Sequence, residues 1–151
     1  MSVNYERKEM CKMAIKVYGS TSASTRKAKR WFKAHEIPFL YRDIMREPLS
    51  VSEMQHILRL TEKGTGDIIA TRSNIYKELD LDFDSLSLQK LYELFQQFPR
   101  LLRQPLIVDE YKLQIGFDEH NIRQFIPREE RRKNMIDSLF SFKKNPRIEG
   151  V

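Results

Sequence analysis

With 151 residues, 40% of them apolar and 32% charged, the chain suits one soluble globular domain large enough to bury a core. No run of about eighteen apolar residues occurs, which excludes a membrane-spanning helix. A single cysteine, Cys11, excludes an internal disulfide and points to a reducing compartment, the cytoplasm. The formal charge of +6, from 27 cations against 21 anions, favours a polyanionic partner wherever the cations cluster.

Residues 1–13 are polar and mixed in charge, without the apolar stretch of a secretory signal, and read as an N-terminal extension carrying Cys11 as an incidental thiol. Ala14 to Tyr18, with Ile15 and Val17 alternating around Lys16, reads as a strand. A hydroxyl-rich loop, Gly19 to Thr25, then leads into a helix whose Ala28, Trp31 and Phe32 fall at i, i+3 and i+4. A helix amino terminus carries unpaired N–H groups and partial positive charge, so it stabilises a thiolate or a bound anion. This loop holds no cysteine, histidine or carboxylate, and a serine without an adjacent base stays inert at neutral pH. Two readings stay open: Ser22 or Ser24 caps the helix, or the loop is an anion site that lacks the G-x-x-x-x-G-K-[ST] spacing of a nucleotide loop.

Residues 26–33 hold five cations and no acid: Arg26, Lys27, Lys29, Arg30 and Lys33. Residues 128–147 hold seven against three acids. Each run is either a solvated face or a surface for nucleic acid or an acidic protein, and no DNA-reading motif accompanies them.

Glu36-Ile37-Pro38 breaks the first helix, and Phe39 to Ile44 reads as a second strand. Ser50 and Glu53 form a capping box opening a helix to Leu60, with Val51, Met54, Ile57 and Leu58 as its buried stripe. Gly64 and Gly66 then permit a sharp turn, or leave backbone bare for close approach by another molecule. Helical pieces are expected over 67–75, 76–79 and 87–98, the last with Leu88, Leu91, Tyr92, Phe95 and Phe98 on one face before Pro99 ends it. Leu106 to Asp109 and Lys112 to Phe117 around a turn at Glu110-Tyr111 make a β-hairpin, and Asp118 can cap a short helix through Ile122 and Phe125. Past Pro127, the apolar Met135, Ile136, Leu139, Phe140 and Phe142 suggest an amphipathic helix laid on the domain, with disorder from Lys143 to Val151. His35, His56 and His120 show no ligand spacing, so neither a metal nor another cofactor is expected. The order implies an α/β domain over 14–127, with a mixed sheet of about four strands and a helical insertion near 50–100, followed by a basic segment over 128–151.

The chain carries, in order, Thr25-Arg-Lys-Ala28, His35-Glu-Ile-Pro-Phe39, Glu47-Pro-Leu-Ser50, Ile57-Leu-Arg-Leu-Thr-Glu62 with Gly64-Thr65, Ile69-Ala-Thr-Arg-Ser73, Leu101-Leu-Arg-Gln-Pro105, Leu113-Gln-Ile-Gly-Phe117 and Ile122-Arg-Gln-Phe-Ile-Pro127. These colinear pieces resemble the Spx family, regulators that bind RNA polymerase and belong to the arsenate reductase-like (ArsC) branch of the thioredoxin fold. The resemblance implies a thioredoxin-like four-stranded sheet with an inserted helical region, a cis bond at Pro105, and a partner in the carboxy-terminal domain of the polymerase α subunit. It implies that Arg59, Leu60 and Gly64, with Tyr18 and Ser22, form the face that meets that domain. Promoter DNA would be reached indirectly through polymerase, with Arg26, Lys27, Lys29, Arg30, Lys33 and Arg72 as candidate DNA-facing residues and the free protein a monomer. Asn74 stands two residues after Arg72, where related sequences often carry lysine.

The departures fall on one chemistry. Family members usually carry Cys-x-x-Cys before the Arg-Lys-Ala run, and this pair is their oxidative switch; here Ser22 and Thr25 take those positions. The arginine usual before the proline is Gln104. The resemblance therefore implies a non-enzymatic regulator without thiol control, the other readings being a stand-alone nucleic-acid-binding module or a degenerate reductase-like scaffold.

Overall fold

A computed structural model describes residues 14–143. The extension assigned to 1–13, with Cys11, and the tail beyond Lys143 lie outside the described residues.

Four strands form one sheet in the order β2-β1-β3-β4: β1 Ile15–Gly19, β2 Phe39–Asp43, β3 Leu106–Val108 and β4 Leu113–Ile115. β1 and β2 run parallel, joined by helix α1 (Ala23–Ala34), whereas β3 is antiparallel to both β1 and β4. A parallel pair needs such a crossover, and a hairpin adds antiparallel strands with a short turn. Asp109 Oδ1 fixes that turn by accepting the Tyr111 and Lys112 amides at 2.8 and 2.6 Å. Helices α2 (Val51–Leu60), α3 (Asn74–Leu79) and α4 (Leu88–Gln97) make the insertion, and α5 (Arg128–Lys143) follows the domain.

Strand alternation sorts the core onto two faces of the sheet. Ile15, Val17 and Ile107 meet Ala28, Trp31 and Phe32 of α1 and the 3-10 turn Asn121–Phe125. Tyr18, Leu106 and Val108 face the insertion and pack with Met54, Ile57, Leu91, Leu94 and Phe95. Phe32 is wholly buried, a placement that contributes about 2 kcal/mol. The capping box at α2 is complete, and Asp118 Oδ1 accepts the His120 and Asn121 amides at 2.9 Å each.

Four expectations need correction. Residues 67–75 are not one helical piece, because Ile69 pairs antiparallel with Leu102, and this tertiary pairing outweighs local helix preference. Val51 and Leu88, in the first turns of α2 and α4, are 44% and 59% exposed, beyond the edge of the core. Leu94, absent from the expected stripe, is buried instead. The helix after Pro127 forms but is not laid on the domain over Arg128 to Phe140, where every side chain is exposed, including Met135, Ile136, Leu139 and Phe140; the side chain of Phe142 lies outside those described.

Candidate partner-binding face

The carboxyl end of β1 delivers the chain to the hydroxyl loop. Ser22 is the cap of α1: its Oγ accepts the Thr25 amide at 3.2 Å, and its carbonyl accepts the Arg26 amide at 3.1 Å. The Ser22 and Thr25 hydroxyls share a hydrogen bond of 2.8 Å. Thr25 is wholly buried against Gly19, where an added Cβ would lie 2.5 Å from Thr25 Oγ1. Glycine at 19 therefore lets helix and strand approach. Ser20 Oγ donates to Gln104 Oε1 at 2.5 Å, and the Gln104–Pro105 bond is cis, as the resemblance implies.

A second feature is the turn after α2. Arg59 is exposed and Leu60 half-buried in the last turn of that helix. Gly64 follows with φ +87°, a left-handed conformation that glycine adopts at little cost. A Cβ built on Gly64 or Gly66 would meet no atom within 4 Å. Asp67 Oδ2 staples this turn by accepting the Glu62 and Lys63 amides at 3.1 and 2.9 Å. Asp67 escaped the sequence reading, although its place just after Gly-Thr-Gly, at capping reach of two free amides, is a local signal.

Tyr18 does not present its ring to solvent. It is 3% exposed, and its hydroxyl donates to Glu53 Oε2 at 2.8 Å. The Arg42 guanidinium pairs with Glu53 Oε1 and sits 5.0 Å from the centre of the Tyr18 ring. Burial works against Glu53 ionisation, but the Arg42 guanidinium, the Ser50 amide and the Tyr18 hydroxyl outweigh it and bring the pKa to about 2. Burial and the Glu53 carboxylate push the Tyr18 hydroxyl well above its ordinary value. Three elements, β1, β2 and α2, are thus locked beneath a shallow cleft of about 210 Å³. Nothing local in the sequence links these three residues, which lie up to 35 positions apart.

The cations divide. Arg26, Lys27, Arg30 and Lys33 are exposed on α1, whereas Lys29 is half-buried with its ammonium 3.8 Å from the centre of the Tyr41 ring. Arg72 is exposed in the turn leading to α3, on a different element. The histidines serve packing or solvent: His35 stacks on Trp31 at 4.1 Å, His56 Nε2 bonds the Asp109 carbonyl at 2.8 Å, and His120 is exposed. Among the described residues, no helix is long and apolar enough to cross a membrane.

The profile of the ArsC family matches residues 18–125, a span holding both the hydroxyl loop and the glycine turn. The chain is 51% identical over 119 residues to the global transcriptional regulator Spx 2 of Oceanobacillus iheyensis, covering 79% of this chain and 88% of that protein. It is 48% identical over 118 residues to the global transcriptional regulator Spx of Bacillus subtilis, covering 78% and 90%. An ArsC-family-related protein from Bacteroides fragilis shares the fold, with a TM-score of 0.64 at 22% identity over 75% of this chain and 98% of that one. Fold, colinear motifs and identity agree, and the chain belongs to the ArsC family, among its Spx proteins.

Proposed function

We propose that this chain is a transcriptional regulator that binds the carboxy-terminal domain of the RNA polymerase α subunit and alters promoter use, with no thiol switch. The observation that carries the reading is the Gly64 turn. Arg59, Leu60 and Gly64 lie on one short segment, and the space where a side chain at 64 would project is open to a partner's backbone. Ser22, in the hydroxyl loop, is assigned to the same face, and the buried Tyr18 supports that face through Glu53 at the start of α2. The Ser22–Thr25 hydrogen bond supports indifference to oxidant, since hydroxyls do not couple as thiols do. A loop without a nucleophile also supports regulation rather than arsenate reduction. Activity would then follow abundance, with the free protein monomeric and promoter DNA reached through polymerase in the cytoplasm.

Calorimetric titration with the isolated carboxy-terminal domain of the α subunit, with and without oxidant, tests this. Saturable binding at micromolar concentration or tighter, unchanged by oxidant, is the expected result; no binding overturns it. Four exposed cations on α1, Arg26, Lys27, Arg30 and Lys33, favour a second reading as a nucleic-acid-binding module. DNA binding without polymerase, falling steeply with salt, would identify that case.

A further inference from the structure

Resting on the α-subunit reading, we infer that Gln104 and Asp67 are positioning residues that tie the hydroxyl loop to the glycine turn, making the two halves of the docking face one unit. The halves belong to separate elements, the β1–α1 loop and the turn after α2, and a face assembled from both keeps one shape only if something joins them.

The join is continuous. Ser20 Oγ donates to Gln104 Oε1 at 2.5 Å, the one side-chain hydrogen bond from residues 20–22 that reaches beyond the loop and α1 among the described residues. The neighbouring Arg103 donates its amide to the Ile68 carbonyl at 2.8 Å and its guanidinium to the Asp67 carbonyl at 3.4 Å. Leu102 pairs with Ile69, and the Ala70 amide reaches the Leu101 carbonyl at 2.7 Å, so residues 101–103 and 68–70 are joined by an isolated antiparallel bridge. From there the Asp67 carboxylate holds the Glu62 and Lys63 amides, the last two before Gly64. A polar strap thus runs from a residue two positions before Ser22 to the residue next to Gly64. Neither Gln104 nor Asp67 needs to touch the partner for this; each acts by fixing backbone that does.

The test compares Ser20→Ala, Gln104→Leu, their combination, Asp67→Ala and Asp67→Asn in the full chain, with Gly64→Arg as the control that blocks the face itself. Each is titrated with the isolated carboxy-terminal domain of the α subunit, its amide exchange at Glu62 and Lys63 is followed, and circular dichroism verifies folding. Ser20→Ala and Gln104→Leu should each weaken binding by about threefold to tenfold, and the combination no more than either alone. Gln104→Leu should also speed exchange at Glu62 and Lys63, an effect that loss of loop structure alone would not transmit. Asp67→Ala should weaken binding by a similar factor, and Asp67→Asn, which keeps a side-chain carbonyl, should recover most of it. Wild-type affinity and exchange in Gln104→Leu, alongside lost binding in Gly64→Arg, overturns the strap while the face stands. A wild-type chain that does not bind the domain overturns the reading beneath it, and the exchange measurements still decide whether the tie exists.

Discussion

Ser22 Oγ and Thr25 Oγ1 lie 2.8 Å apart at the amino terminus of α1, one as the helix cap and the other wholly buried against Gly19. The two side chains that Spx resemblance pairs with a redox switch are joined here by a hydrogen bond that oxidants leave alone. Replacing both, Ser22→Cys with Thr25→Cys, places thiols at a helix terminus followed by Arg26 and Lys27, where thiolates are stabilised. The double variant should form an intramolecular disulfide under mild oxidant, leaving Cys11 as its one titratable thiol. Persistence of all three thiols would show that the loop cannot bring these positions into bonding geometry.

Gly19 admits no side chain in the present packing. Gly19→Ala would bring a methyl group to 2.5 Å from Thr25 Oγ1 and force α1 away from the sheet. A loss of about 1–3 kcal/mol in urea unfolding is expected. Unchanged stability would mean that the helix shifts freely on the strand.

Gly64 behaves oppositely, since an added side chain meets nothing but the backbone is left-handed. Gly64→Ala should cost about 1 kcal/mol of stability from backbone strain alone. Gly64→Arg should cost a similar amount and lower affinity for the α-subunit domain at least tenfold, a separation that thermal melting and calorimetry resolve together. Equal binding by the arginine variant would remove Gly64 from the face.

The Glu53 carboxyl, held at about 2 against its ordinary 4.5, links folding to acid. A depressed folded-state pKa supplies stability above the unfolded value, and that stability is lost as pH falls from about 4.5 towards 2. Urea midpoints measured across this window should fall for the wild type and fall less for Glu53→Gln, which starts lower because the Arg42 guanidinium loses its counter-charge. Parallel curves would assign the acid sensitivity to other carboxylates.

Replacing Met135, Ile136, Leu139 and Phe140 together by serine should leave the unfolding free energy within about 0.5 kcal/mol, because these side chains are all exposed. A larger loss, read by urea denaturation, would show that the apolar residues of α5 pack on the domain in solution.

The sequence by itself determined the elements whose signals span only a few residues: the Ser50–Glu53 box, the turn at Glu110-Tyr111 and the period of α1, and it narrowed the α1 cap to Ser22 or Ser24, of which the structure chose Ser22. It also determined that the loop holds no thiol, and its colinear motifs carried the family. Only the tertiary structure decided what depends on a surface from elsewhere in the chain. Ile69 became a bridge because Leu102 lies opposite it, and the apolar side chains of α5 from Met135 to Phe140 stayed bare because none of the described residues covers them. The Tyr18–Glu53–Arg42 cluster and the Ser20–Gln104 bond join residues from distant segments, and no local pattern encodes such pairs. Caps and periodicity are properties of neighbouring backbone groups, whereas exposure and long-range hydrogen bonding exist only once the sheet has brought separate segments together.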